Sequence, residues 1–497
     1  MDIKIINQST VNFSGDLLIV NLFEGVKIPG GATGAIDKAM DGAITSMIKN
    51  GEITGKLGET AIFPTLGRLK VNKILIVGLG KQEKFGMEEI RKASGSAAMS
   101  VKRARAKTVG TIVHGAGIGG IDPQVCAQAL AEGTILGLYE FTTYKKRDTN
   151  GIENFFIIEM DKQKIKKIEK GVELGKIVAE GQNIARDFTN EPANILTPEK
   201  FTQRATQIIS DFGLRKELKL TILNKKEIEK LKMGALLSVA QGSDNEPQFI
   251  TIRYQGSNKP LISLIGKTVT FDSGGISLKP TEGMGAMKGD MSGGGVVFAT
   301  TLALARTGAK TNLLTIIPAV ENMPSGKASR PGDIVRAMNG RTIEIISTDA
   351  EGRMTLADAI CYAEKEGAKI IVDIATLTGG CAIALGDVTA AVMGNEQELI
   401  DRLLAISKHT GERMWQLPIF EEYEEKIKSD VADIKNSAGR LASPITAGIF
   451  LKEFVQNAKW LHIDIASKEF AEKDRFYQPK GATGFGVRTL FEFCQQF

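Results

Sequence analysis

Two segments in the second half of the sequence place acidic side chains directly after apolar runs. In LISLIGKTVTFDSGG, Lys267 and Asp272 lie at the end of the apolar stretch, and Asp290 follows a further glycine-rich loop. In TIEIISTDAEGR, Asp349 and Glu351 follow the apolar run in the same way. Glycine lets the backbone turn tightly after a strand, so these carboxylates can converge on one cleft. Two such clusters in one part of the chain favour a functional site over two solvated loops.

The four carboxylates indicate a site for divalent cations. Together they have the charge to balance two such cations, and bridging carboxylates hold a metal pair about 3.5–4 Å apart in two-metal hydrolases. Oxygen ligands without thiolate or imidazole suit Mg, Mn or Zn. Side chains alternate along an extended chain, so we expect residues 349, 351 and 353 to lie on one side of their segment.

Other catalytic patterns have little support. His114, His409 and His462 are the only histidines, and none stands at metal-ligand spacing; the sequence also has no GxSxG string. His462 alternates with apolar neighbours in WLHIDIA, which favours a structural role over a catalytic one. The string GAGIGG at residues 115–120 fits dinucleotide binding, but with 54 glycines in the chain a tight strand-to-helix turn is the better interpretation.

The composition is that of an ordinary folded protein. Hydrophobic residues make up 42% and charged residues 24% of 497, and a net charge of +5 gives no reason to expect nucleic acid or a membrane surface as partner. The longest uncharged stretch, 291–305, is shorter than the roughly 20 residues of a membrane span. Without a signal-peptide pattern, we expect a cytoplasmic protein. Absence of CxxC spacing favours buried free thiols at Cys126, Cys361, Cys381 and Cys494.

Apolar runs that alternate with helical patterns predict an α/β fold throughout. The runs are DLLIVNLF, NKILIVGLG, KTVGTIVHG, ENFFIIEM, LISLIGKTVTF, NLLTIIPAV, TIEIIS, KIIVDIA and WLHIDIA. A charged amphipathic helix begins near Asp161, and we place a domain boundary within it, between an N-terminal domain at 1–165 and a C-terminal domain at 166–497. Ligands of open α/β sheets lie outside the carboxyl ends of the strands, where the glycine-rich loops of this sequence fall.

Several segments, in order and spacing, resemble the leucine aminopeptidase (cytosol aminopeptidase) family of two-metal exopeptidases. They include GKTVTFDSGGISLKP, MKGDM, TDAEGR, NEPANILTPE, ENMPSGKASRPGDIV, ATLTGG, NSAGRLASPITAGIFL and GATGFGVRTL. The resemblance covers the second domain and, more thinly, the first. It implies a macro-like N-terminal α/β domain, a larger C-terminal catalytic domain with a mixed central sheet, and a cytoplasmic homohexamer that acts on peptides.

The resemblance also implies a ligand set. One metal position would be held by Asp272, Asp349 and Glu351, and the other by Lys267, Asp272, Asp290 and Glu351. Manganese or zinc would fill them, with magnesium or cobalt as alternatives. A lysine binds a cation only when neutral, so the metals would have to lower the pKa of Lys267 far below its usual value of about 10.4. The alternative is a charged Lys267 that pairs with Asp272.

Catalytic roles follow from the same resemblance. Lys279 would stabilise the oxyanion, and Arg353 would hold a bicarbonate ion that acts as base. A hydroxide activated by the two metals would then release the N-terminal residue of an unblocked peptide. A pocket that favours Leu-like or Met-like first residues would be formed by Met287, Thr376, Leu377 and Gly379. A methionine at position 287 fits a core filler equally well.

Two departures from the family pattern bear on rate and metal preference. Ser347 stands where asparagine is usual, and three glycines at 293–295 replace a glycine-alanine run. A different function is also open: a nucleotide- or ADP-ribose-binding module that uses GAGIGG, with a decayed peptidase domain. A NAD-dependent oxidoreductase would rest on that same string alone.

Overall fold

The computed structural model describes residues 2–117, 119–145 and 151–497 and divides into two compact units. The first consists of Met1–Asn183 and Ala471–Lys480, and the second of Ile184–Phe470 and Gly481–Phe497. The division at Asn183/Ile184 falls within a single long helix, Lys162–Asn190. The boundary that we predict at 165/166 lies in the same helix, closer to its start.

The first unit is built on a six-stranded sheet with the order β1-β6-β5-β2-β4-β3. Its strands are β1 (Ile3–Asn7), β2 (Gly15–Phe23), β3 (Thr60–Pro64), β4 (Val71–Gly80), β5 (Thr108–Ile112) and β6 (Asn154–Glu159). Neighbouring strands are parallel, except that β3 is antiparallel to β4. The helices are α1 (Gly31–Ala39), α2 (Ala43–Lys49), α3 (Met87–Arg103), α4 (Pro123–Gly137) and the first part of α5 (Lys162–Asn190). Apolar clusters cover both faces of the sheet, which explains its nearly continuous apolar runs.

The second unit is built on a nine-stranded mixed sheet. Its strands are β7 (Leu218–Leu223), β8 (Gln248–Gln255), β9 (Ile262–Gly266), β10 (Thr268–Asp272), β11 (Asn312–Asn322), β14 (Ile370–Ala375), β15 (Ala390–Gly394), β16 (Met414–Gln416) and β18 (Lys459–Asp464). The order is β16-β15-β18-β14-β9-β11-β8-β7, with β10 also paired to β11. The central strands β18, β14, β9 and β11 are parallel, whereas β15, β8 and β7 introduce antiparallel pairs.

Small sheets and helices complete this unit. The short strands are β12 (Ile334–Arg336), β13 (Thr342–Glu344), β17 (Ile434–Lys435), β20 (Gly481–Ala482) and β19 (Phe470–Ala471), within which the division between the units falls. The helices are α6 (Pro198–Asp211), α7 (Lys225–Lys230), α8 (Gly234–Ala240), α9 (Ser292–Arg306), α10 (Gly352–Lys365), α11 (Gly379–Leu385), α12 (Gln397–Thr410), α13 (Ser443–Lys452) and α14 (Val487–Cys494). The predicted α/β architecture with two domains and a mixed second sheet is confirmed.

Sequence patterns located the strands well, and one run needs correction. The run LISLIGKTVTF forms two strands rather than one, because the chain leaves its alignment with β14 at Lys267 and β10 then pairs with β11 alone. The four cysteines are buried and free, as predicted. No helix in the described part of the chain combines the length and the apolar character that a bilayer crossing requires.

Gly293 and Gly295 differ in how much space each has for a side chain, and this difference predicts opposite effects of alanine substitution on stability. A methyl group on Gly293 would collide with the carbonyl oxygen of Ile374 and lie 2.9 Å from the amide nitrogen of Lys267, whereas one on Gly295 would meet Phe188 at 3.4 Å. We expect Gly295→Ala to stabilise the fold by about 0.5–1 kcal/mol through helix propensity. Gly293→Ala should destabilise it by about 1–3 kcal/mol through overpacking. Urea unfolding of both variants checks this; equal shifts would contradict it.

Candidate active site

Three neighbouring parallel strands of the second unit end at one edge of the sheet. Lys267 follows β9 directly, Thr376 follows β14, and Asp464 is the last residue of β18. Ligands of open α/β sheets bind outside the carboxyl ends of the strands. The strand order therefore collects at this edge polar residues that lie far apart in the sequence.

A buried acidic cluster lies at this edge. One carboxylate oxygen from each of Asp272, Asp290 and Glu351 can be chosen so that all three lie within 4.8 Å of one another. Asp290 Oδ2 is buried and has no hydrogen-bond partner among the described residues. Buried carboxylates need a compensating charge or donor. Closely spaced acidic oxygens with one unpaired atom therefore fit a divalent cation.

Two lysines contact the carboxylates. Lys267 Nζ lies 2.7 Å from Asp290 Oδ1 and 2.8 Å from Glu351 Oε1, and it donates a hydrogen bond of 2.8 Å to the Thr376 carbonyl. Lys279 Nζ lies 2.8 Å from Asp272 Oδ2 and also pairs with Asp349. All five predicted metal ligands and Lys279 are therefore brought together. The alternative pairing of Lys267 with Asp272 is not found; its ion-pair partners are Asp290 and Glu351.

Burial and mutual charge shift the pKa values of this cluster. Burial, with the nearby charge of Glu351, raises the pKa of Asp272 to about 6. Burial also raises the pKa of Asp290 well above its ordinary value. Burial alone would lower the pKa of Lys267, but the surrounding carboxylates outweigh it and raise that pKa. Among protein groups alone Lys267 is a cation, and a divalent cation in the cluster would act in the opposite direction, toward the neutral amine.

The first residue of α10 is a glycine, Gly352, that leaves space for the Lys267 side chain. A Cβ on Gly352 would stand 2.5 Å from Lys267 Cε and 2.7 Å from Nζ. Real side chains do not approach so closely, so glycine at 352 lets the lysine pass beside the helix terminus. Gly352, the glycine of TDAEGR, therefore leaves space for the side chain of Lys267, which lies more than eighty residues earlier in the chain.

The expected alternation of residues 349, 351 and 353 is wrong. Strand β13 ends at Glu344, Asp349 lies in a turn, and Glu351 has helical angles of φ −80° and ψ −38° as the N-cap of α10. A turn followed by a helix start, rather than an extended segment, places Asp349 and Glu351 at the cluster. TDAEGR contains a turn-prone Asp and Gly, and this local signal predicts the turn better than the preceding apolar run does.

Arg353 lies buried in the first turn of α10. Its Nη1 donates a hydrogen bond of 2.7 Å to the Asn436 carbonyl, and its Nε is buried without a partner in the described ranges. Burial lowers the pKa of Arg353 to about 10, although Glu351 and Asp464 act in the opposite direction. The side chain is therefore a buried cation with an unused donor, which suits a small anion.

The four residues expected to surround the substrate's first side chain lie in two segments of the chain. Thr376 Oγ1 donates a hydrogen bond of 2.7 Å to Asp290, and the Leu377 amide donates one of 3.1 Å to Asp464. Gly379 begins α11, and Met287 lies in a short 3₁₀ helix, Met284–Gly289, that leads into Asp290. Both segments thus adjoin the acidic cluster.

Sequence analysis missed three polar residues that hold this site. Asn322, at the end of β11, donates hydrogen bonds of 2.8 Å to Asp272 Oδ1 and 3.0 Å to the Thr348 carbonyl. Asn436 accepts from the Ile346 amide at 2.8 Å and donates to the Ser347 carbonyl at 2.8 Å. Asp464, named above, holds the 376–378 segment. Asn322 ends a mostly apolar strand, and the change to polar residues at Glu321 and Asn322 is the signal that could have found it.

Asn322 gives a prediction about cation binding. Asn322→Ala should weaken Mn²⁺ binding about 10–100-fold, because the Asp272 carboxylate loses the amide that orients it. Equilibrium dialysis measures the affinity, and Asn457→Ala at an exposed position is the matched control. Equal affinity of both variants would show that Asp272 needs no such support.

The remaining sequence features lie elsewhere. His462 is buried in β18 and hydrogen-bonds through Nδ1 to Asp373, while burial lowers the pKa of His114 to about 4. The glycine string at 115–120 follows β5, and four of its described residues, Gly115, Ala116, Gly117 and Gly119, line a cavity of about 610 Å³ within the first unit. That cavity is lined mainly by apolar side chains and backbone.

Two protein-family models match the chain. The catalytic domain of the cytosol aminopeptidase family matches residues 183–491, and the N-terminal domain of the same family matches residues 19–148. A probable cytosol aminopeptidase of Alkaliphilus oremlandii is 41% identical over 500 residues, which cover 100% of this chain and 99% of the relative. One of Geobacter sulfurreducens is 40% identical over 483 residues, with 96% of each chain covered.

Solved structures are also similar over the whole length. A tomato leucine aminopeptidase variant has a TM-score of 0.89 at 31% identity, with 100% of this chain and 97% of that one covered. The bottromycin maturation enzyme BotP in complex with Mn has a TM-score of 0.86 at 30% identity, with coverages of 97% and 99%. None of these matches favours a nucleotide-binding module with a decayed second domain, because both halves of the chain match one family.

Proposed function

This chain belongs to the cytosol aminopeptidase family, and from that premise we propose how its buried cluster removes the first residue of an unblocked peptide. The chain is a metal-dependent aminopeptidase, a hydrolase of the leucyl aminopeptidase type. The observation that carries the proposal is the cluster of Asp272, Asp290 and Glu351 with its unpaired Oδ2 atom.

Two divalent cations would share this cluster. Asp272, Asp349 and Glu351 would hold one, and Lys267, Asp272, Asp290 and Glu351 the other. Bound there, the cations would polarise the scissile carbonyl and lower the pKa of water. Manganese or zinc suits these ligands, with magnesium or cobalt as alternatives; the Mn complex of BotP supports manganese.

Lys279 would stabilise the oxyanion that forms at the scissile carbonyl. Burial alone lowers the pKa of Lys279, but the charges of Asp272, Glu351 and Asp349 outweigh it and raise that pKa. The ammonium group therefore stays charged at neutral pH. Its side chain is 21% exposed, compared with 3% for Lys267, so it is the lysine that an entering substrate can reach. A fixed cation beside a developing negative charge is a strong catalytic element.

Arg353 would bind a bicarbonate ion that accepts the proton of the attacking water. Its buried Nε–H lacks an acceptor in the described part of the chain, and bicarbonate would supply one. In this scheme the carboxylates of the cluster bind the metals, so the bound anion rather than a side chain accepts the proton. Met287, Thr376, Leu377 and Gly379 would surround the first side chain of the substrate.

The assay that tests this proposal uses leucyl-anilide. We expect the protein to release the anilide after loading with Mn²⁺ or Zn²⁺, and to lose this activity after exhaustive chelation. N-acetyl-leucyl-anilide should remain uncleaved, because its amine is blocked. Full activity after chelation, or none with either metal, would overturn the proposal.

We also propose, on the family resemblance, that the protein is a cytoplasmic homohexamer. Light scattering of the purified protein at micromolar concentration should give a mass six times that of one chain. A monomeric mass in the presence of metal would reject the hexamer and leave the catalytic proposal untouched.

A further inference from the structure

Glu469 is a half-buried acidic residue that the proposed reaction does not use. It follows β18 after a tight turn in which Ser467 has a positive φ of 72° and the Lys468 amide donates to the Ile465 carbonyl at 2.8 Å. The Thr483 amide then fixes the Glu469 carbonyl at 3.0 Å. These two hydrogen bonds hold the backbone on both sides of the Glu469 side chain.

The Glu469 carboxyl has an unused oxygen. Its Oε2 is buried and makes no hydrogen bond to any residue that the structure describes. Burial raises the pKa of this carboxyl, while the backbone amides of Glu469 and Ser467 act against that rise. A carboxylate buried in this way is costly unless a cation or donor reaches it. Asp290 Oδ2 has the same character, and the partner proposed for it is a divalent cation.

Charged groups at the edge of the sheet that holds the acidic cluster act on the Glu469 carboxyl. It lies close enough to Asp464 and Lys267 for their charges to act on its pKa, and its own charge raises the pKa of the Cys381 thiol. Lys267 belongs to the metal cluster, and Cys381 lies in α11 just after Gly379. The carboxyl is therefore in electrostatic range of both the metal site and the 376–381 wall.

The next residue supports the same placement. The ring of Phe470 packs so closely on Gly289 that no Cβ would fit there. Gly289 directly precedes Asp290 and belongs to the 3₁₀ helix that carries Met287. The segment 467–470 thus packs, through Phe470, against the 3₁₀ helix that carries Met287 and leads into Asp290.

We propose that Glu469 forms the acidic end of the pocket for the substrate's first side chain, so that N-terminal arginine and lysine are substrates at least as good as leucine. This inference rests on the proposed function of the cleft. The aliphatic part of a basic side chain would pack on Met287 and Leu377, and its cationic end would meet the Glu469 carboxylate. A desolvated charge pair of this kind gives strong discrimination, because the partner left alone stays buried and unpaired.

The test compares arginyl-, lysyl- and leucyl-anilides on the Mn²⁺-loaded protein. The ratio of kcat/KM for arginine to that for leucine should be about one or higher in the wild type. Glu469→Gln keeps the shape and removes the charge, and it should lower this ratio at least about tenfold. Glu469→Met should lower it further and raise the leucine value. Glu472→Gln, an exposed change three residues on, should leave the ratio unaltered.

Binding provides a second measurement. Calorimetric titration of the Mn²⁺-loaded protein with free arginine and free leucine, which have no amide bond to hydrolyse, should show tighter arginine binding to the wild type and a reversed order for Glu469→Gln. An unchanged arginine-to-leucine ratio in Glu469→Gln, with leucine still cleaved, would overturn the pocket assignment while the aminopeptidase proposal stands. Failure of the wild type to cleave any of the three anilides would instead reject the proposed function, and the calorimetric order would then decide the role of Glu469.

Discussion

Lys279→Ala is expected to lower kcat about 10²–10³-fold while both cations stay bound. Lys279 is the cation of the cluster that remains partly open to solvent, and its ammonium contacts Asp272 and Asp349. Its removal takes a positive charge away from two proposed ligands, so their attraction for divalent cations should increase rather than decrease. The expected fall in kcat therefore comes only from weaker stabilisation of the developing oxyanion.

Steady-state kinetics on leucyl-anilide and metal analysis of the same sample check this prediction together. Lys327→Ala, at an exposed position, is the matched control and should behave as wild type. The outcome that would contradict the division of roles is a Lys279→Ala protein from which the metals are lost, because Lys279 would then be part of the metal site itself.

Fold and family could be read from the sequence because their signals are local. Most of the apolar runs form one strand each, and the strands β9, β14 and β18 are parallel neighbours that end together. Residues at strand ends, such as Asp272 and Lys267, are therefore placed by rules that need no knowledge of tertiary contacts. Their convergence within a few ångström is a consequence of strand order, which the sequence did not reveal.

Residues that hold the site through distant partners could not be predicted in the same way. Asn436 bonds to the Ile346 and Ser347 region ninety residues earlier, and Asn322 reaches Asp272 across fifty residues. No periodicity links such pairs, and an isolated asparagine in a loop is usually interpreted as a turn residue. Glu469 is similar, since its surroundings come from three segments that only the fold brings together.

The chain between β13 and α10 departs from the extended structure that its apolar sequence pattern predicts. The apolar run TIEIIS suggests a strand that continues toward Asp349, but β13 ends at Glu344. The chain then turns because Asn436 binds its backbone at Ile346 and Ser347, which replaces the bonds that a neighbouring strand would provide. A side chain from elsewhere thus overrides the extended tendency of the local sequence.

Asp290→Asn should have the largest effect on metal binding. Asp290 would serve only the second cation position, where its Oδ1 contacts Lys267 and Thr376 and its Oδ2 has no partner. An amide is nearly the same size but lacks the negative charge, so one cation of the two should be lost. We expect affinity at that position to fall at least about 100-fold and kcat/KM on leucyl-anilide to fall more than about 10³-fold.

Stability should change in opposite directions with and without metal. In EDTA, the four carboxylates of the cluster face only two lysines, so Asp290→Asn removes a buried charge and should raise the Tm above that of the wild type. In saturating Mn²⁺ the order should reverse, because a cation at about 1,000 times its Kd adds about 4 kcal/mol to the wild type. Asp430→Asn, at an exposed site, should shift neither Tm. A variant that binds two Mn²⁺ ions and melts as the wild type does in both buffers would remove Asp290 from the ligand set. A carboxylate that neither lowers stability in EDTA nor adds affinity for Mn²⁺ cannot be coordinating a cation.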